Sequence, residues 1–176
     1  TEKLKITEEI TISAWINVDQ FKDQIILTKG GTSTAASGNV NYGFRLGSVS
    51  GGSSDFKKLN FYINDNFIGG VVEFMSSSDI ITSTSTWYHV AIKFNFGNTI
   101  EDPILGPVFD DTTSSAKMFV NGNFVPGSWS DIGFGMPAVS DEDLWIGRKD
   151  SDISGSGESG SNYFDGKIQN LSLIHI

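Results

Sequence analysis

The stretch "SAKMFVNGNFVPG" (Ser115–Gly127) decides the fold class of this chain. Within it, Asn121 and Gly122 stand between two short runs of apolar, aromatic and β-branched residues. A two-residue type I′ turn requires positive φ at both central residues, and an Asn-Gly pair adopts that conformation at low steric cost. The stretch therefore predicts a β-hairpin, with strand chemistry on both sides of the turn.

Period-two alternation of side chains recurs along the rest of the chain, whereas helical periodicity is nearly absent. Both alternating rows of segment 9–18 are weakly polar, which predicts a central strand covered on both faces. Long polar loops, such as 97–114 and 128–143, separate the strands. The predicted strands are 9–18, 24–30, 41–47, 58–64, 70–75, 87–95, the two arms of the hairpin, 144–148 and 166–176. Many strands without intervening helices indicate a β-sandwich or a barrel.

Composition excludes several classes of function. The chain has 176 residues, which favours one domain, and its formal net charge of −9 repels nucleic acid phosphates and anionic lipids. No apolar run approaches the length that spans a membrane, so we expect no nucleic acid partner and no membrane insertion. Cysteine is absent, which excludes disulfides and thiolate metal sites. The oligomeric state is left open.

The order of the strand motifs carries a resemblance to a known family. The pieces "ITISAWINV", "WYHVA", "VNG", "WIGR" and "YFDGKI" follow one another as in a laminin G-like jelly roll. That group belongs to the concanavalin A-like lectin/glucanase superfamily. The resemblance implies an all-β fold, a two-sheet antiparallel jelly-roll sandwich that spans residues 1–176. Many relatives carry an Asp in the last strand that helps to bind a structural calcium, whereas this chain has Gln169 followed by Asn170 there.

The same resemblance predicts that the chain is a fragment of a larger protein. Relatives begin with a strand before the tryptophan strand, and almost nothing precedes Leu4. The closing "LSLIHI" (Leu171–Ile176) matches the translated end of a common transposase-based sequencing adaptor, which is typical of a metagenomic fragment. Its residues still alternate like a strand. An acidic surface rich in Ser, Thr and Gly indicates an extracellular or virion-surface location.

Aromatic residues outside the predicted core are the candidates for carbohydrate binding. Trp129 lies in a predicted loop, and Tyr163 flanks another loop. An exposed indole offers a flat apolar face that suits stacking on a sugar ring. The alternative is that Trp129 closes the end of the sandwich as a lid. The other tryptophans, Trp15, Trp87 and Trp145, are predicted to lie in the core, as is Ile146, and His89 is interpreted as a structural residue.

An acidic loop supplies the candidate metal ligands. In "DSDISGSGES", Asp150 and Asp152 match the alternating oxygen ligands that open a calcium loop, and Glu158 occupies its ninth position. The twelfth position, where such a loop has a bidentate Glu, is Ser161. A solvated acidic loop without metal is the alternative interpretation. Calcium is therefore the cofactor that the sequence brings into consideration.

These observations favour a noncatalytic recognition module that binds a glycan or a protein partner through loops of the sandwich. The first alternative is a structural domain, such as a phage decoration or fibre domain, without a ligand of its own. The second is a glucanase-type glycosidase, which requires two carboxylates about 5 Å apart if it retains configuration. Asp141 and Asp143 share a face but precede apolar residues, which favours a boundary between loop and strand.

Overall fold

The computed structural model of the chain describes residues 9–30, 40–48, 53–65, 70–95, 97, 99–102, 106–109, 115–130, 143–147 and 163–175. Within these ranges the chain forms thirteen β-strands and one short 3-10 helix at Ser53–Asp55, with no α-helix. The strands are β1 (Glu9–Val18), β2 (Gln24–Gly30), β3 (Val40–Leu46), β4 (Leu59–Asp65), β5 (Gly70–Ser76), β6 (Trp87–Asn95), β7 (Thr99–Asp102), β8 (Gly106–Phe109), β9 (Ser115–Val120), β10 (Asn123–Val125), β11 (Gly127–Trp129), β12 (Leu144–Ile146) and β13 (Gly166–His175).

The strands build two antiparallel sheets that form a jelly-roll sandwich. One sheet has five strands in the order β10-β9-β6-β1-β13, and the other has six in the order β11-β5-β4-β3-β2-β12. A separate hairpin pairs β7 with β8. None of the described residues forms a helix of the length and hydrophobicity needed to cross a membrane.

The Asn-Gly turn has the predicted geometry. Asn121 has φ of 50° and Gly122 has φ of 79°, so both central residues adopt the left-handed conformation that the turn requires. The turn is also tied to the neighbouring strand β6. The backbone N–H of His89 donates to Asn121 Oδ1 at 2.9 Å, and the Asn121 N–H donates to the His89 carbonyl at 2.8 Å. Asn121 therefore sets both the hairpin and its register on β6.

The predicted strand bounds agree closely with the structure, and β1, β2 and β6 coincide with the predicted segments. Three strands were not predicted. The hairpin β7–β8 lies in the segment interpreted as loop 97–114, and β11 lies where loop 128–143 was expected to begin. These strands have three or four residues each, which is too short for alternation to be detected in the sequence.

The core lies between the two sheets. On β6 the alternating residues Tyr88, Val90, Ile92 and Phe94 form one row, and all four are buried. The rings of Phe61 on β4 and Phe94 lie 5.2 Å apart, so the two sheets contact each other directly through aromatic side chains. A continuous apolar layer is the main source of stability for a sandwich of this kind.

Two of the predicted core residues face solvent instead. Trp15 is 39% exposed and Ile146 is 54% exposed, so the expectation that they are buried was wrong. On β1 the inward row of Ile and Ala residues fills the core, and Trp15 belongs to the opposite row, which no second layer covers completely. Ile146 ends the short edge strand β12. Trp87 and Trp145 are half-buried.

Candidate functional site on the outer faces of the sandwich

The outer face of the six-stranded sheet is polar, and yet it is buried. Side chains alternate along its strands, so residues between the core-facing aromatics must point away from the core. Asn60 is fully buried, Arg45 is 4% exposed and Glu73 is 8% exposed. Buried polar groups of this kind are ordinarily hydrogen-bonded. The face is therefore a pre-organised polar surface and not a solvated one.

A glycine in β3 lets an aromatic ring lie flat on this face. Gly43 pairs with Tyr62 on β4, and a Cβ at Gly43 would overlap the Tyr62 ring. The Tyr62 hydroxyl reaches over the glycine and lies 3.0 Å from Thr28 Oγ1 on β2. Burial has the largest effect on the pKa of Tyr62 and raises it. The hydrogen bond to Thr28 acts in the opposite direction, with a smaller effect. Gly43 thus provides the close approach that a glycine inside a strand often marks.

Glu73 on β5 is held in one orientation by its neighbours. Asn60 Nδ2 donates to Glu73 Oε2, and Ser48 Oγ donates to the same oxygen at 3.2 Å. The Glu73 backbone is fixed as well, because its N–H donates to Ser130 Oγ at 3.0 Å and its carbonyl accepts from the Ser130 N–H at 2.7 Å. The carboxylate is therefore rigid. The Oδ1 atom of Asn60, buried beside it, has no hydrogen-bond partner among the described residues.

A partly buried ion pair continues the polar surface toward β2. Arg45 Nη2 lies 3.4 Å from Asp23 Oδ1. Burial raises the pKa of Asp23, and the Arg45 guanidinium opposes that rise by favouring the charged carboxylate. Repulsion by Glu73 and Asp55 adds to the rise. The negative charges on this side of the molecule are thus close enough to influence one another.

Next to Glu73, a cleft of about 390 Å³ opens on the outer face of β5 and β11. We call it the serine cleft, and its border includes Ser48, Glu73, Ser77, Ser128, Trp129 and Ser130. The volume falls within the range of small-molecule sites, roughly 300 to 1,000 Å³. Lys58 and Met75 complete the border together with a further serine. The serine hydroxyls, the fixed carboxylate and the Lys58 ammonium can hydrogen-bond a ligand that has several hydroxyl groups.

Trp129 borders the serine cleft, but its indole is part of the packing between the sheets. The ring centroid lies 5.1 Å from that of Phe74 and 5.4 Å from that of Phe94. Trp129 belongs to strand β11 and is half-buried, although the sequence indicated a loop. Trp129 therefore closes the core, as the lid interpretation expected, and it also borders the cleft. Its contact with carbohydrate stays a prediction.

Tyr163, the second predicted carbohydrate contact, lies far from Trp129. The backbone of the next residue, Phe164, donates to the carbonyl of Gly147, which directly follows β12. The strands β11 and β12 form opposite edges of the six-stranded sheet, and five strand spacings correspond to about 24 Å. Tyr163 is 40% exposed. The structure thus does not bring the two predicted residues together in one small site.

The outer face of the five-stranded sheet has a different character, because it exposes aromatic rings. Trp15 on β1 pairs with His89 on β6, and the two ring centroids lie 5.3 Å apart at 57°. Trp87 lies two residues before His89 on β6, and it pairs with Asn17 of β1. His89 therefore packs against an exposed indole, which agrees with its interpretation as a structural residue.

A bulge in β13 completes a shallow depression beside these rings. Trp15 pairs with Gln169 and Ser13 pairs with Ser172, so two residues of β13 stand opposite the single residue between them on β1. Asn170 in this bulge has φ of 50°. In a regular strand, Gln169 and Asn170 would point to opposite faces, but here both line a depression of about 250 Å³ with Trp15 and Trp87. We call it the indole depression.

The predicted calcium ligands Asp150, Asp152 and Glu158 lie outside the described residues, as does Asp141. Across the part of the chain that is described, no group of three or more acidic or histidine residues is placed to hold a metal ion. The family calcium position, Gln169 with Asn170, lies beside tryptophans instead of carboxylates. The amides of these two residues thus do not fit the family's calcium site.

Sequence reasoning missed the residues that organise both surfaces. Glu73 and Asn60 occupy outward positions of alternating strands, where polar residues ordinarily face water. The only signal was the glycine inside "NYGFRLG", because a glycine within a strand often marks a close approach. Trp15 was missed as a surface residue because a tryptophan in an apolar strand is ordinarily buried.

Comparison with known proteins agrees with the two-sheet sandwich fold. The family model of a laminin G domain in the concanavalin A-like lectin/glucanases superfamily matches residues 1–175. No curated protein matches the chain at a significant level of sequence similarity. Among solved structures, domains LG4-5 of the mouse laminin α1 chain match with a TM-score of 0.59 and 13% identity, over 96% of this chain and 36% of that one.

Two further structures share the fold. The carbohydrate-binding module CBM40 of the Ruminococcus gnavus IT-sialidase, bound to α2,3 sialyllactose, has a TM-score of 0.58 and 11% identity, over 98% of this chain and 78% of that one. The heptameric SAP-like pentraxin of Limulus polyphemus has a TM-score of 0.52 and 13% identity, over 97% and 65%. The chain thus spans less than two thirds of the laminin and pentraxin chains.

Proposed function

Because the chain belongs to the laminin G-like domains of the concanavalin A-like lectin/glucanases superfamily, we propose that it is a noncatalytic recognition module that binds carbohydrate at the serine cleft. The observation that carries this proposal is the fixed Glu73 carboxylate at the border of a cleft rich in hydroxyls. A rigid carboxylate accepts hydrogen bonds from sugar hydroxyls without first losing side-chain entropy.

A structure with a similar fold supports a carbohydrate ligand. The CBM40 module, whose structure holds sialyllactose, shows that a module with a similar fold can carry a glycan.

Glycan-array binding by the wild-type chain, compared with two matched serine variants, tests the proposal. Ser128→Tyr places a ring in the cleft at an exposed position of β11, whereas Ser115→Tyr makes the same change at an exposed position of the other sheet. We expect Ser128→Tyr to lose the glycans that the wild type binds and Ser115→Tyr to retain them. Absence of wild-type binding, or unchanged binding by Ser128→Tyr, would contradict the proposal.

The absence of catalysis is part of this proposal. A glycosidase would cleave the glycans that the array identifies, so incubation with them followed by mass spectrometry distinguishes the two functions. We expect intact oligosaccharides. A structural domain without a ligand, the remaining alternative, predicts that the array shows no binding. We further propose an extracellular or virion-surface location, which labelling of intact cells or particles with antibody against the chain would test.

Calcium remains a prediction for the acidic loop that contains Asp150, Asp152 and Glu158. An ion that binds only the native state raises the melting temperature by mass action. We expect calcium to raise the Tm of the wild type, and the double variant D150N/D152N to remove the effect. A Tm that does not depend on calcium would identify the loop as solvated and without metal.

A further inference from the structure

The outer face of the five-stranded sheet lies on the side of the molecule opposite the serine cleft. Its most exposed indole, Trp15, is 39% exposed, although burying an indole is strongly favourable. A large aromatic side chain on a rigid sheet strand, facing solvent, is the kind of residue that binding surfaces require.

Three features make this indole a formed site and not an isolated surface residue. His89 packs against it at 5.3 Å, which restricts rotation of the ring. Trp87 lines the same depression with a second indole. The bulge in β13, where Asn170 adopts φ of 50°, brings the amides of two consecutive residues to one side. Such bulges ordinarily redirect side chains at functional positions.

The size and chemistry of the indole depression indicate what binds there. Its volume of about 250 Å³ suits a single ring or a short oligosaccharide segment. A protein interface would need roughly 800 Å² on each partner, far more than the four residues around this depression supply. Indoles that stack, with neighbouring amides that both donate and accept, match the flat apolar face and the hydroxyl edge of a pyranose.

We propose that the indole depression, formed by Trp15, Trp87, Gln169 and Asn170, is a second carbohydrate site that stacks one pyranose ring of a β-linked glycan. This site is independent of the serine cleft, because the two lie on the outer faces of different sheets, whose mean planes are about 10 Å apart. The module would then hold two glycan segments on opposite sides.

Nuclear magnetic resonance of the indole Nε1–H groups tests this site directly. Cellohexaose, xylohexaose and β-1,4-mannohexaose serve as probes, because their equatorial linkages leave the ring faces open for stacking. We expect at least one of them to shift the signals of Trp15 and Trp87 saturably. Trp15→Ala should weaken that binding about tenfold or more, whereas Phe124→Ala, which removes another exposed ring of the same sheet, should leave it unchanged.

The variant Ser128→Tyr separates the two proposals. If it retains the titration of the Trp15 indole while it loses array binding, the depression acts independently of the cleft. The inference is overturned if none of the three oligosaccharides shifts the two indole signals, or if Trp15→Ala and Phe124→Ala weaken binding equally. It is also overturned if the shifts depend on protein concentration alone, because self-association would then explain them.

Discussion

The two sheets place similar apolar rows in the core and opposite chemistry on their outer faces. The six-stranded sheet buries polar groups such as Asn60 and Glu73 in a hydrogen-bonded surface, whereas the five-stranded sheet leaves Trp15 and Phe124 exposed to solvent. A polar side chain that is buried must be satisfied by partners, and an indole that is exposed forgoes the gain of burial. Each face therefore departs from what alternation alone would produce, and each departure forms a candidate site.

The largest expected difference between the faces concerns two tryptophans. Trp129→Ala should lower the free energy of unfolding by about 3 kcal/mol, because it opens a cavity against Phe74 and Phe94. Trp15→Ala should lower it by about 1 kcal/mol, because its ring lies at the surface. Urea unfolding of both variants measures the two values. Equal losses would mean that the outer face of β1 is as tightly packed as the core.

A glycine substitution tests the packing on the polar face. Gly43→Ala should destabilise the protein by about 2 kcal/mol, because its methyl group would displace the buried Tyr62 ring. The matched control is Gly122→Ala in the hairpin turn, where nothing lies within 4 Å of the added Cβ. That change should cost about 1 kcal/mol from its positive φ alone. Thermal unfolding of both variants compares them, and a larger loss for Gly122→Ala would contradict this account.

Removal of one hydroxyl has a smaller expected effect. Tyr62→Phe loses the bond to Thr28 and leaves that buried hydroxyl without this partner, which should cost about 1 kcal/mol. Tyr163→Phe, at an exposed position, should change the stability by about 0.3 kcal/mol or less. Urea unfolding distinguishes these values. If the two variants are equally stable, the Tyr62 hydroxyl contributes nothing to the polar face.

The smallest expected effect is a dependence on pH. Burial raises the pKa of Asp23, although Arg45 opposes the rise. The native state therefore holds this proton more tightly than the unfolded chain does, and its stabilising contribution is present at low pH and lost as the pH rises from about 4 through the raised pKa. Asp23→Asn removes this loss, so the variant should gain stability relative to the wild type as the pH rises.

Unfolding by urea at several pH values from about 4 to 7 measures this difference. If the variant loses stability relative to the wild type over that range, the attraction of Arg45 outweighs the burial of Asp23. The pKa of Asp23 would then be lowered in the native state, and the ion pair would stabilise the polar face at neutral pH.

The fold was largely predictable, because the evidence for it is local. Asn121-Gly122 specifies its turn through backbone conformation alone, and β6 shows its buried row in the sequence. The strands that escaped prediction are short, and β11 pairs with β5, which lies far away along the chain. The candidate sites were less predictable. The sequence identified Trp129 as a candidate residue, but it did not predict that its ring packs on Phe74 and Phe94.

The sequence by itself determined the class of fold, the hairpin at Asn121-Gly122 and the buried row of β6, because these depend on alternation and on turn chemistry. Only the tertiary structure decided which outward residues are covered. It buried Glu73 and Asn60 next to a cleft, left Trp15 exposed and turned Gln169 and Asn170 toward one depression through a bulge. The physical reason is that coverage and register across strands arise from residues distant in the chain, which no local pattern encodes.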